Sequence, residues 1–206
     1  MSDNSTTVII NTGCANISSV KFALQRLTSN VIVSDDVSVI SAADKVILPG
    51  VGSANAAMDS IAKKQLSLCI QSLSQPVLGV CLGMQLMVTD SQEKAHQGND
   101  LNTPCLDLIP GQVKRMQVGE LRLPHMGWNT VGALEHETLF KGIPDGTYFY
   151  FVHSFAVDVF THTLATCEYG MKFSAAIRKD NFFGVQFHPE RSGDAGATLL
   201  ENFLAL

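Results

Sequence analysis

The sequence predicts an α/β fold, with a central, mostly parallel β-sheet flanked by helices and additional antiparallel strands in the second half. Three observations lead to this prediction. Short apolar runs alternate with amphipathic segments in the first half, which is the order typical of a parallel sheet covered on both faces. The second half is richer in short apolar runs, which indicates further strands. The chain has 206 residues, of which 46% are hydrophobic and 16% charged, so we expect one domain spanning residues 1–206.

The first half is predicted to alternate strand and helix from its start. A buried strand at residues 7–10 precedes a helix at 17–27, whose apolar residues fall on one face. The next elements are strands at 31–33 and 45–48, a long amphipathic helix at 54–73, a strand at 77–80 and a helix at 82–88. The second half is predicted to hold strands at 147–157, 164–168, 173–177 and 182–187 and a closing helix at 195–204. Functional loops in such folds gather at the carboxyl ends of the strands, so we expect the residues that follow these strands to converge.

The segment from Gly79 to Gly83 places Cys81 between two glycines, where a predicted strand meets a predicted helix. Strand, sharp turn and helix form the geometry of a nucleophile elbow, and glycines remove side chains where the strained turn brings backbone close to backbone. The N–H groups and positive dipole end of the following helix stabilise a thiolate, the reactive form of a thiol. The alternative is a buried, inert cysteine. That alternative suits the four cysteines that lack paired glycines: Cys14, Cys69, Cys105 and Cys167.

A second candidate site, His188-Pro189-Glu190, follows the last predicted strand. Residues two apart in an extended chain point to the same face, and Pro189 biases His188 toward extended geometry, so His188 and Glu190 are predicted to lie side by side. A carboxylate beside an imidazole fixes its tautomer and supports its protonated form, which leaves the other ring nitrogen to face a thiol. Taken alone, these would be a surface histidine and a solvated charge. With Cys81 they complete a catalytic triad.

These two motifs together resemble the class I glutamine amidotransferases, whose nucleophile segment reads Gly-x-Cys-x-Gly and whose base segment reads His-Pro-Glu. Further segments in the same order resemble the glutaminase-subunit family of imidazole glycerol phosphate synthases, from about residue 8 to residue 206. They are the stretches at 48–53, 81–87, 124–129, 150–154 and 186–193. The resemblance implies the class I glutamine amidotransferase fold, which is flavodoxin-like. It also implies an enzyme of histidine biosynthesis that hydrolyses L-glutamine through a Cys81 thioester, with His188 moving the protons and Glu190 supporting it.

Negative charge develops twice on the carbonyl oxygen in such a reaction, so two preorganised N–H donors are required. The elbow geometry assigns one donor to Leu82, and the resemblance assigns the other to the loop at 50–52, where the sequence leaves Val51 and Gly52 as alternatives. Glycines on both sides of Val51 allow this loop to rearrange, so we expect it to couple partner occupancy to oxyanion stabilisation. The resemblance also implies a set of glutamine-binding residues: Gly50, Gln85, Glu93, His153, Ser154 and Phe155.

No cofactor or metal is implied, since cysteine, histidine and glutamate suffice for acyl transfer. The resemblance implies a partner instead, a cyclase subunit with a (β/α)8 barrel. It would form a heterodimer with this chain and use its ammonia to make imidazole glycerol phosphate and an aminoimidazole carboxamide ribonucleotide. An exposed Trp128 would be typical of an interaction anchor, and the alternative is that this single tryptophan belongs to the core. The expected interface residues are Asn16, Pro124, His125, Met126, Trp128 and Asn129.

Composition and charge exclude several other classes of function. The chain carries 14 Lys and Arg against 19 Asp and Glu, and a net charge of -5 argues against a nucleic-acid-binding surface. The sequence has no apolar run of 18 residues and no charged, apolar leader at its start, so we expect neither membrane insertion nor secretion. Five cysteines without C-x-x-C spacing indicate reduced thiols in the cytoplasm rather than disulfides or a zinc site.

Three alternatives to this function stay open on the sequence. The chain could be the amidotransferase subunit of another pathway, such as anthranilate or aminodeoxychorismate synthesis, although the segment at 124–129 argues against it. It could be a thiol peptidase-like hydrolase on the same fold, which the combination of Gln85 and Glu93 disfavours. It could also be a catalytically silent binding subunit, which the complete set of triad residues disfavours.

Overall fold

The computed structural model describes residues 5–13, 16–93, 102–133 and 138–206. The first half holds, in order, β1 (Thr7–Ile10), α1 (Ile17–Gln25), β2 (Val31–Ser34), α2 (Val37–Ser41), β3 (Lys45–Gly50), α3 (Ala54–Lys63), α4 (Ser67–Gln71), β4 (Val77–Cys81), α5 (Leu82–Leu86) and β5 (Val88–Ser91). The second half holds β6 (Thr103–Pro104), β7 (Ile109–Arg115), β8 (His125–Ala133), β9 (Thr147–His153), β10 (Phe155–Val157), β11 (Thr163–Glu168), β12 (Lys172–Lys179), β13 (Phe182–Val185) and α6 (Gly193–Leu204). Short 3-10 turns lie at Thr138–Phe140 and Pro189–Arg191.

Within these ranges, the main sheet has nine strands in the order β2-β1-β3-β4-β13-β12-β11-β8-β9. The five strands from β2 to β13 are parallel. From β13 to β9 every pairing is antiparallel, so β13 joins the two halves of the sheet. The predicted α/β fold, with parallel strands first and antiparallel strands added by the second half, is confirmed.

Burial on both faces explains why the parallel strands are almost entirely apolar. In β1, Ile9 packs into one apolar cluster, while Val8 and Ile10 pack into another, because successive side chains of a strand point to opposite faces. Helices α1 and α6 supply Leu24 and Phe203 to the cluster of Ile9. Helices α3 and α4 cover the opposite face. None of the helices in the four described ranges is long and apolar enough to cross a membrane.

The single helix expected at 54–73 is two helices, and this expectation was wrong. Helix α3 ends at Lys63, and Gln65 adopts a left-handed backbone with φ of 57° before α4 begins at Ser67. A left-handed non-glycine residue costs about 1–2 kcal/mol. The turn lets Leu66 become fully buried, and that burial offsets the cost. No glycine or proline marks the break in the sequence.

The strand expected at 147–157 also divides, and the division shapes the site. Strand β9 ends at His153 in the main sheet, while β10 begins at Phe155 in a second, four-stranded sheet of order β10-β7-β5-β6. This second sheet was not predicted. Strand β5 of this sheet begins at Val88, inside the segment 82–88 that was expected to be helical. Continuous burial from Leu82 to Val88 does not distinguish a helix from a strand.

Three loops of the main sheet emerge at one edge. The register pairs Gly50 with Cys81 and Val80 with Val185, so β3, β4 and β13 end side by side. The segments that follow these three strands carry Val51 and Gly52, the elbow after Cys81, and His188. The expected convergence at the carboxyl ends of the strands is therefore present in the fold.

Candidate active site

Cys81 occupies a strained turn between β4 and α5. Its backbone has φ of 53° and ψ of -111°, a conformation that costs a non-glycine residue about 1–3 kcal/mol and persists only where the surroundings impose it. The surroundings here are backbone atoms packed without intervening side chains. A β-carbon on Gly79 would lie 2.8 Å from backbone atoms of Gly83, and one on Gly83 would overlap the carbonyl oxygen of Leu48. The paired glycines are therefore required by the close approach of α5 to β3 and β4.

His188 and Glu190 form a buried pair. Nδ1 of His188 lies 2.8 Å from Oε1 of Glu190, and their side chains are only 7% and 4% exposed. The expected extended geometry holds for His188 but was wrong for Glu190, which lies in the 3-10 turn Pro189–Arg191. Ser192 Oγ closes this turn by donating to the carbonyl oxygen of His188 at 2.7 Å. The tight turn, rather than strand periodicity, brings the two side chains together.

The surroundings of His188 favour its protonated form. Burial by itself lowers the pKa of His188, but its interactions with Cys81 and Glu190 outweigh burial and raise the pKa to about 10. Nδ1 is held by Glu190, and Nε2 has no hydrogen-bond partner among the residues that the structure describes. The imidazole therefore keeps one nitrogen for Cys81 or for a ligand beside it.

Most of the predicted site residues line one cleft of about 370 Å³. Those that line it are Val51, Gly52, Cys81, Leu82, Gln85, Glu93, His153, Ser154, Phe155, His188 and Glu190. Asn16 and Pro124, which were expected at a partner interface, line it too. Gly50 does not. A β-carbon added to Gly50 would lie 2.9 Å from the β-carbon of Leu82. The absence of a side chain at Gly50 therefore allows close packing beneath the elbow.

Gln85 and Glu93 are held in the cleft by hydrogen bonds to the protein. Gln85 is buried, and its Nε2 donates to Phe155 O and to Gln186 Oε1, each at 2.9 Å, which leaves its own carbonyl oxygen for a ligand. Glu93 Oε2 accepts from the N–H of Ala54 at the start of α3, at 2.7 Å. Burial raises the pKa of Glu93, although the Ala54 hydrogen bond opposes that rise.

Sequence reasoning missed Gln186. This residue is fully buried, accepts from Gln85, and lies with Nε2 3.8 Å from Cys81 Sγ. The available signal was its spacing, since Gln186 precedes His188 by two residues in an extended segment and so shares its face. The Cys81 thiol also lies 3.9 Å from the carbonyl oxygen of Val152.

The segment at 124–129 is divided between surface and interior. Met126 and Trp128 are 63% and 55% exposed, so the alternative that Trp128 belongs to the core was wrong. His125 is only 3% exposed, and its expected place at the surface of an interface was wrong. Residues alternate between the two faces of β8, which turns His125 and Asn129 inward where their neighbours turn outward.

The other cysteines within the described ranges differ from Cys81. Cys69, Cys105 and Cys167 are free thiols. Burial raises the pKa of Cys105 and of Cys167 to about 12, so both stay protonated. Cys14 lies outside the described residues. Across those same residues, no cluster of three His, Cys, Asp or Glu side chains is placed to hold a metal ion.

The family model for glutamine amidotransferase class-I matches residues 6–206. The chain belongs to the class-I glutamine amidotransferases. This amidotransferase is 54% identical to imidazole glycerol phosphate synthase subunit HisH 1 of Vibrio vulnificus, over 97% of each chain. It is 57% identical to subunit HisH of Shewanella sediminis, over 99% of this chain and 92% of that one.

Solved structures share the fold of this amidotransferase at low sequence identity. A crystal structure of a glutamine amidotransferase matches with a TM-score of 0.71 and 16% identity, over 96% of this chain and 97% of that one. The structure of PurLQS from Thermotoga maritima matches with a TM-score of 0.68 and 17% identity, over 98% of both chains. These likenesses establish the class I amidotransferase fold.

Proposed function

We propose that this chain is the glutaminase subunit of an imidazole glycerol phosphate synthase in histidine biosynthesis. It hydrolyses L-glutamine and delivers the ammonia to a cyclase subunit, which makes imidazole glycerol phosphate and an aminoimidazole carboxamide ribonucleotide in the cytoplasm. Two relatives named as HisH subunits, at 54% and 57% identity over nearly the full length, support this assignment. The observation that carries the chemistry is the cleft that brings Cys81 together with the buried His188–Glu190 pair.

The first half-reaction forms a thioester. The Cys81 thiolate attacks the side-chain amide carbon of glutamine, and the C–N bond then breaks as His188 donates its proton to the departing nitrogen. The raised pKa of His188 supports this role, because the imidazole is protonated when attack begins. Ammonia leaves and the γ-glutamyl group stays on Cys81.

The second half-reaction releases glutamate. His188, now neutral, accepts a proton from water, and the resulting hydroxide adds to the thioester carbon. The C–S bond breaks, which restores the Cys81 thiolate beside a protonated His188. Glu190 holds Nδ1 of His188, so that Nε2 makes both proton transfers.

Both tetrahedral intermediates carry an oxyanion that needs two donors. The elbow places the N–H of Leu82 at the start of α5. The second donor comes from the loop that leaves β3 beside Cys81, through Val51 or Gly52. Gln85 and Glu93 hold the amino-acid end of the substrate, because a free carbonyl oxygen and a carboxylate suit an ammonium group.

The cyclase docks on the outward face of β8 and β9. The register pairs Met126 with Val152 and Trp128 with Tyr150, which forms an aromatic and apolar surface. Such surfaces are typical of interaction anchors. Val152 also lines the cleft, so a partner on this surface lies at the mouth through which ammonia leaves.

Glutamate release from glutamine tests this function. It would be measured for the purified chain alone, with the cyclase, and with the cyclase and its nucleotide ligand, with Cys81→Ala as the blank. Strong activation only in the full mixture is the expected result. High activity without a partner would contradict coupling through the Val51 loop, and no activity in any mixture would favour a silent binding subunit.

A further inference from the structure

Two buried histidines face each other across strands β8 and β9. His125 and His153 are paired in the register of the two strands, and Nδ1 of His125 lies 3.0 Å from Nε2 of His153. His125 is stacked between the rings of Phe151 and Tyr169, with centroid distances of 4.9 Å and 4.1 Å. Neither histidine takes part in the proton transfers described above.

The hydrogen bonds around the pair admit a single arrangement with both rings neutral. Nδ1 of His153 lies 2.8 Å from Phe155 O, which only accepts, so Nδ1 carries the proton and Nε2 is an acceptor. His125 must therefore donate from Nδ1, and its Nε2 accepts from Asn129 Nδ2 at 3.2 Å. Asn129 donates its other hydrogen to Glu168 O at 2.9 Å. Burial lowers the pKa of His125 to about 4 and that of His153 to about 3, so both stay uncharged at neutral pH.

The same chain of hydrogen bonds continues to the nucleophile. Phe155 O accepts from Gln85 Nε2 as well as from His153, and Gln85 in turn donates to Gln186 Oε1. Gln186 Nε2 lies 3.8 Å from Cys81 Sγ. One polar path therefore runs from Asn129 on β8, through two rings and two amides, to the sulfur.

The other end of this path lies on the exposed segment of β8. Met126 and Trp128 face outward between His125 and Asn129, which face inward. Five consecutive residues therefore carry both the docking surface and the first two members of the path. The ring stack fixes His125, so a displacement of this segment moves the hydrogen bond to His153.

We propose that His125 and His153 are positioning residues that hold the Phe155 carbonyl and Gln85 for glutamine, and that they link partner docking on β8 to the glutamine cleft. The linkage rests on the proposed function, whereas the positioning role also applies to glutamine binding by the chain without a cyclase. Both roles predict effects on the KM for glutamine rather than on folding alone.

The test compares two substitutions at His125 in the full chain. H125F keeps an aromatic ring between Phe151 and Tyr169 but removes both hydrogen bonds. H125N loses the ring but returns an amide donor near the position of Nδ1. We expect H125F to raise the KM for glutamine about tenfold with a smaller change in kcat, and to lower the activation ratio given by the cyclase. We expect H125N to recover the KM to within about threefold of the parent value.

A structural role would give the opposite ranking. If the ring stack alone mattered, H125F would keep the parent KM and activation ratio while H125N lost thermal stability, and the proposal would be wrong. If H125F does not fold, N129A at a half-buried position takes its place, because it removes the donor to His125 Nε2. An unchanged KM in N129A would then refute the positioning role.

The assay also separates this proposal from the proposed function. The rate at which a glutamine-analogue electrophile labels Cys81 is measured without any cyclase. Tenfold slower labelling of H125F would support the positioning role, whether or not the cyclase activates the enzyme. Failure of the cyclase to activate the parent or any variant would overturn the linkage and the proposed partner. Parent-like labelling together with a parent-like KM overturns the positioning role and leaves the proposed function standing.

Discussion

Replacing Glu190 by glutamine tests how much this carboxylate raises the pKa of His188. The two side chains are almost fully buried and joined at 2.8 Å, and the substitution preserves shape and one acceptor oxygen while removing the charge. A hydrogen bond to a charged group contributes about 1.5–3 kcal/mol. We therefore expect Glu190→Gln to cost about 2 kcal/mol at pH 7 and to lower the pKa of His188 by between about one and two units.

The loss should depend on pH in a defined way. The pKa of His188 is about 10 in the folded chain, above the value of about 6.5 in the unfolded chain. Because the folded pKa is the higher one, the stability from this group is fully present below pH 6.5 and is lost as the pH rises through 10. In the variant the folded pKa is lower, so this group contributes less stability and loses it at a lower pH. The difference between the two proteins should therefore be constant at about 2 kcal/mol up to about pH 7 and should shrink as the pH rises through 10.

Denaturant unfolding at several pH values between 6 and 10 measures this difference, with Glu201→Gln on the exposed side of α6 as the matched control. The same substitution should reduce kcat/KM for glutamine about 30-fold at pH 7, since 2 kcal/mol in the transition state corresponds to that factor. A free-energy difference that is constant from pH 7 to pH 10, or absent throughout, would refute the claim that Glu190 raises the pKa of His188.

Three further changes have defined outcomes. Gly83→Ala places a methyl group against the carbonyl oxygen of Leu48 in β3, so we expect little folded protein. In the control Gly132→Ala, the added β-carbon lies 3.6 Å from its nearest neighbouring atoms, so the unfolding free energy should stay within about 1 kcal/mol of the parent value. Trp128→Ala should leave the unfolding free energy of the isolated chain within about 0.5 kcal/mol of the parent and weaken cyclase binding about 30-fold, whereas Leu68→Ala, at an exposed apolar position on α4, should leave binding unchanged. An alkylating reagent at pH 7 should modify Cys81 before the other described cysteines, and Cys81→Ala should remove that fast phase.

Each of these has a contradicting outcome. A stable Gly83→Ala protein with parent-like glutaminase activity would show that α5 does not need its close approach to β3. Equal weakening of binding by Trp128→Ala and Leu68→Ala would place the partner elsewhere than on β8. Uniform alkylation of all the described thiols would remove the distinction between Cys81 and the other three cysteines.

Local sequence patterns predicted the parts of the site that depend on local geometry. A cysteine between paired glycines predicted the elbow, because only backbone without side chains can pack as closely as Gly79 and Gly83 do. The spacing of His188 and Glu190 predicted their contact, although through the wrong backbone conformation. The carboxyl ends of β3, β4 and β13 converge because parallel strands place their loops at one edge.

The tertiary structure alone decided which side chains meet across the sheets. The chain leaves β9 and enters the second sheet at Ser154, so Phe155 O receives hydrogen bonds from both Gln85 and His153. Contacts between residues 70 positions apart have no local signal, since they depend on the order in which strands pair rather than on neighbouring residue types. The inward turn of His125 beneath an exposed Trp128 likewise follows from the pairing of β8 with β9.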